Sequence, residues 1–105
     1  MHIERIKFER TGGFAGMRIA AEFELDDLPE EQARTLSDLL DDMDFDELPE
    51  NLTGNSAMSD QFTYTITVEG DKWNHTVVTG DTSDGKMQKL LEILNRIARS
   101  QMKKK

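Results

Sequence analysis

The stretch RIKFERTGGFAGMRIAAEFEL, residues 5–25, holds two alternating runs around a glycine-rich centre, and its reading selects the fold. In an extended chain Ile6 and Phe8 share one face. Met17, Ile19, Ala21, Phe23 and Leu25 form a second period-two series. Between the runs lie Thr11, Gly12, Gly13, Phe14, Ala15 and Gly16. Three glycines in so short a span admit positive φ and a tight reversal, so the two runs read as a β-hairpin. Pairing Thr11 with Gly16 sets Phe8 opposite Ile19 and Ile6 opposite Ala21, which makes the apolar faces coincide.

Beyond the hairpin, Asp27, Pro29 and Glu30 form a helix-start signature with Asp27 as the expected cap. Ala33, Leu36, Leu39, Leu40 and Met43 follow at helical spacing and predict a helix over about 28–43. Phe45 and Leu48 anchor a short turn before Pro49, and 50–60 reads as loop. The order then repeats. Phe62, Tyr64, Ile66 and Val68 alternate with Thr63, Thr65 and Thr67, and Gly70 with Asp71 supplies a two-residue turn. The returning strand sets Trp73, His75 and Val77 opposite Val68, Ile66 and Tyr64, with Trp73 buried against Val68 and the last helix. The threonines take the wetter face. After a loop over 80–85, a helix over about 86–101 carries Met87, Leu90, Leu91, Leu94, Ile97 and Ala98 on one stripe. The expected architecture is α+β in the order ββαββα: a four-stranded antiparallel sheet with two helices packed on one face. It forms a single domain over 1–102, followed by a basic tail at 103–105.

A chain of 105 residues suffices for one core, and without cysteine neither disulfides nor thiolate zinc can hold it together. The first residues lack the apolar run of a signal peptide, and no apolar stretch approaches the roughly 20 residues of a membrane span. The expected address is cytoplasmic, with no membrane partner and a monomer when free. Net charge is −8, and residues 26–50 carry eleven carboxylates against Arg34. Such a chain repels nucleic acid, so Lys103, Lys104 and Lys105 read as the solvated, dipole-favoured end of a helix.

Little in the sequence suggests catalysis. His2 and His75 are far apart and in no ligand-spaced motif, and His75 reads as a satisfied core histidine. Asp42, Asp44 and Asp46 alternate like a calcium loop, but Glu47 stands where glycine is needed and Thr53 where glutamate is needed. No serine sits in a nucleophile elbow, and a strand follows the glycine loop where a phosphate loop would start a helix. The expectation is no enzyme, no cofactor and no resident metal. Phe14 is the unusual residue: turn chemistry favours Asn, Asp or Ser near a hairpin tip. Two readings stay open on the residues alone. The ring either folds back over the sheet edge as a satellite of the core, or stands exposed as a binding anchor.

The run from Ile6 to Gly16, above all Arg10, Thr11, Gly12, Gly13, Phe14, Ala15 and Gly16, resembles the signature of the emfourin family, proteinaceous inhibitors of thermolysin-like metalloproteases such as protealysin. The resemblance continues through Asp44–Pro49, Asp60–Val68 and His75–Val78, whereas 51–59 and the trilysine tail match no family feature. It implies a metalloprotease as protein partner, with the catalytic zinc belonging to that partner. It also implies that Arg10–Gly16 is the protease-binding segment. Thermolysin-like enzymes prefer a bulky apolar residue just after the scissile bond, and Phe14 on a rigid loop fits that preference. The competing reading is an acidic interaction module, an adaptor or a nucleic-acid mimic, motivated by the 26–50 cluster. It gives Phe14 no role.

Overall fold

The computed structural model describes residues 3–12, 18–51, 62–80 and 85–103. Strands β1 (Arg5–Gly12), β2 (Ile19–Glu24), β3 (Phe62–Glu69) and β4 (Asn74–Thr79) and helices α1 (Glu30–Asp42) and α2 (Gly85–Lys103) follow the order ββαββα. One antiparallel sheet runs β2-β1-β3-β4, so the two hairpins join through their first strands. Alternation decides which side is dry. Ile6, Phe8, Ile19, Ala21, Phe23, Tyr64, Ile66, Val68 and Val77 are buried on the sheet face that meets the helices. Leu36, Leu39 and Leu40 of α1 and Leu90, Leu91, Leu94, Ile97 and Ala98 of α2 close that core. The opposite face carries half-buried Thr63, Thr65 and Thr67. Cross-strand ion pairs lie there too, with Arg5 3.3 Å from Glu22 and Lys7 3.6 Å from Glu69. Solvated pairs of this kind contribute little stability.

Both hairpins pair two residues away from the expected register. Phe8 faces Ala21 and Ile6 faces Phe23, with Arg10 opposite Ile19 as the last described pair. In the second hairpin Val68 faces His75, Ile66 faces Val77 and Tyr64 faces Thr79. A slip of one residue would have turned every side chain over, but a slip of two preserves the faces, so alternation alone cannot distinguish the two. The second turn shows the consequence. Gly70 N–H donates to the Trp73 carbonyl at 2.8 Å, which places Asp71 and Lys72 at its centre instead of Gly70 and Asp71. Trp73 therefore leaves the ladder and is half-buried at the turn, packed on the margin of the core.

The entry to α1 also differs from expectation. Leu25–Asp27 forms a 3-10 turn, Pro29 is the residue at the cap, and no side-chain cap bond forms. Proline disfavours helical backbone in the residue before it, and Leu28 is extended at φ −95°, ψ 155°. The helix consequently starts after Pro29, whose carbonyl accepts the Ala33 N–H at 2.9 Å. Beyond α1, Asp44 takes the left-handed region at φ 49° and leads into a 3-10 turn, Phe45–Glu47, that buries Phe45 completely. The Val78 N–H donates to the Glu50 carbonyl at 2.8 Å, covering part of the β4 edge. No described helix is long and apolar enough to cross a membrane.

Candidate functional site

The sequence points to Arg10–Gly16, and the structure places the first three of these residues. Gly13, Phe14, Ala15 and Gly16 lie outside the described residues, as does Met17, so both readings of the Phe14 ring rest on sequence. Arg10, Thr11 and Gly12 form the end of β1, opposite Tyr64, Thr63 and Phe62 of β3. Gly12 adopts φ 102°, backbone that a side chain would strain. The glycine is thus required where the strand turns into the loop.

Arg10 continues the inward series of Ile6 and Phe8, at the mouth of the core where α2 crosses. Its guanidinium lies over the Phe62 ring, 4.6 Å from the centroid. Its Nη1 donates to Asn95 Oδ1 of α2 at 3.2 Å. Phe62 leans on Tyr64 with ring centroids 6.4 Å apart, and Tyr64 stacks on buried Phe8 at 6.1 Å. A column of rings thereby ties the root of the loop to the interior, since edge and offset contacts fix ring orientation as well as burying area. Thr11, on the opposite face, is half-buried.

Three segments attach to this one end of the sheet. Gly12, before 13–17, pairs with Phe62, which follows 52–61. A Cβ on Gly80, which precedes 81–84, would lie 3.7 Å from the Phe62 carbonyl oxygen.

Elsewhere the described surface offers little for chemistry. A hollow of about 470 Å³ on the open sheet face is lined by Lys7, Glu9, Arg18, Ala20, Thr65 and Thr67 among others. Its Arg18 and Glu9 neutralise each other in an ion pair. His75, expected in the core, is half-buried at its margin, and its ring is satisfied within the protein. Its Nε2 lies 2.6 Å from the Leu48 carbonyl and its ring meets Phe45 edge-on at 5.8 Å. A carbonyl only accepts, so Nε2 carries the proton, and among the described residues no group of His, Cys, Asp or Glu side chains could hold a metal ion. The acidic run is solvent-facing: Asp38, Asp41, Asp42, Asp44 and Asp46 are exposed at the C-terminal end of α1 and just beyond.

Sequence reasoning missed Phe62 and Asn95 as partners of Arg10. Phe62 shows only as the first member of an alternating series. Asn95 is a polar residue next to Leu94 at the border of the apolar stripe, and no local pattern links it to a residue 85 positions earlier.

Comparison with known proteins adds two findings. The family described as Emfourin matches residues 8–95, which includes the whole of β1 beyond Lys7 and most of α2. A solved structure of emfourin from Serratia proteamaculans, an M4 family peptidase inhibitor, is similar at 20% identity and a TM-score of 0.38, covering 87% of this chain and 85% of that chain. No curated protein matches.

Proposed function

This chain belongs to the emfourin family, whose members inhibit M4 metallopeptidases and are not enzymes, and from that premise we propose that it blocks the substrate cleft of a thermolysin-like zinc protease with the segment Arg10–Gly16. The observation that carries the reading is the position of that segment. It falls within the family match and begins at a described strand end, Arg10–Gly12, that is held by a glycine at φ 102° and by packed rings.

The mechanism follows from elementary recognition. Phe14 fills the apolar pocket that accepts the residue after the scissile bond, and desolvation of the ring supplies the anchor. Flanking glycines let the backbone approach the cleft wall, where loop amides pair with the enzyme's substrate-binding strand. A loop held at its root by a four-stranded sheet loses little freedom on docking, so more of the contact energy appears as affinity. Anchorage at the strand end also opposes cleavage, because the peptide at the scissile position is kept from departing. Inhibition is steric and needs no zinc ligand from this chain.

The test is titration of thermolysin with the purified protein at enzyme concentrations well above the expected dissociation constant. A linear loss of activity to one equivalent, persisting at high salt, is the expected result. Absence of inhibition at tenfold excess sinks the reading.

A further inference from the structure

Arg10 belongs to the segment assigned to the protease, yet its side chain is turned inward. The planar guanidinium has one face on Phe62 and one N–H on Asn95. Among the described residues it makes no ion pair; its described partners are a ring and an amide. Lysine cannot substitute for it, because only a planar fork can stack on a ring and donate sideways at once. The three groups come from three elements: β1 at the loop root, β3 at its first residue, and the middle of α2. Gly12 lies two residues beyond Arg10 and pairs with Phe62, so the clamp fixes the strand end from which the loop departs.

We propose that Arg10 is a positioning residue, clamped between Phe62 and Asn95, that holds the root of the loop in its docking geometry and makes no contact of its own with the protease. Its consequence for inhibition rests on the reading given under Proposed function; the clamp itself does not. A contact residue and a positioning residue leave different kinetic traces. Loss of a contact shortens the life of the complex. Loss of the clamp lowers the fraction of molecules whose root is competent, which slows association and leaves the formed complex alone.

The experiment has two arms on the intact protein. In the first, association and dissociation with thermolysin are measured for wild type, Arg10→Ala, Arg10→Lys, Asn95→Ala, Asn95→Asp and the double alanine variant. If the root is competent about one tenth of the time without the clamp, Arg10→Ala, Arg10→Lys and Asn95→Ala each associate about tenfold more slowly. Dissociation stays within about twofold, and the double variant is no slower than either single one. Asn95→Asp, which keeps an acceptor for the guanidinium, stays close to wild type. In the second arm, amide exchange at Gly12 and Phe62 is followed in the free protein by NMR. It is expected to quicken about tenfold in Arg10→Ala and Asn95→Ala, with the amides of Val77 and His75 unchanged. A protein that fails to inhibit while showing this exchange pattern retains the clamp and loses the protease reading. Unchanged exchange at Gly12 and Phe62 overturns the clamp. Faster dissociation at wild-type association for Arg10→Ala overturns the positioning role, because it makes Arg10 a contact, as does additivity of the two alanine effects.

Discussion

Replacing His75 tests how the turn after α1 is fastened to the sheet. His75 sits on β4 opposite Val68, its Nε2–H donates to the Leu48 carbonyl at 2.6 Å, and its ring meets the buried Phe45 edge-on at 85°. The bond should contribute about 0.5–1.5 kcal/mol net. The ring pair should add about 0.5–1.5 kcal/mol beyond area burial. His75→Ala is therefore expected to cost about 2 kcal/mol, or a fall of roughly 8–16 °C in Tm for a domain of this size. Two further variants separate the contributions. His75→Phe keeps an aromatic edge but leaves the Leu48 carbonyl without its donor, whereas His75→Gln keeps a donor and loses the ring. Each should fall between wild type and alanine by differential scanning calorimetry. A loss below about 0.5 kcal/mol for His75→Ala, comparable with an ordinary surface substitution, would refute the fastening. Equal losses for Gln and Ala would show that the donated bond contributes nothing.

Three other predictions follow from the same structure. Leu94→Ala and Leu39→Ala each remove a buried side chain and should cost about 2–5 kcal/mol in thermal or urea denaturation. Leu94, at 0% exposure against 9% for Leu39, should be the worse. Gly12→Ala forces a β-carbon onto φ 102° and should cost about 1–2 kcal/mol of stability. Changing Asp41, Asp42 and Asp44 together to Asn should slow association with the protease and flatten its salt dependence, with dissociation nearly unchanged. Asn tolerates the left-handed backbone of residue 44; an effect confined to dissociation would place these groups inside the contact.

The architecture was legible because its signals are periodic. Alternation in 5–25 and 62–78 named the dry face of each strand, and the helical stripes named most of the residues that cover it. Register was not legible, because a two-residue slip leaves every face as it was and only the turn decides it. In the second hairpin the turn that forms is centred on Asp71 and Lys72, which moves Trp73 from the ladder to the margin of the core. The start of α1 was misplaced for a local reason: the proline taken as an early helical residue holds Leu28 extended and delays the helix. At the candidate site the sequence marked Arg10–Gly16 as a unit. It had no means of showing that Arg10 faces inward to Asn95, a contact between residues 85 positions apart that depends on where α2 crosses the sheet.

The central claim, that this chain inhibits a thermolysin-like protease through Phe14, is tested most directly by one paired measurement on Phe14→Ala: the inhibition constant against thermolysin and the melting temperature. A ring that anchors in the protease pocket contributes little to folding, so Tm should stay within about 1–2 °C of wild type. Inhibition should weaken by about 2–4 kcal/mol, roughly thirty- to a thousandfold. Phe14→Leu, which still fills an apolar pocket, should retain much of the affinity. If Phe14→Ala unfolds the protein, the ring belongs to the core. If it stays folded and inhibits as well as wild type, Phe14 is not the anchor and the account is contradicted.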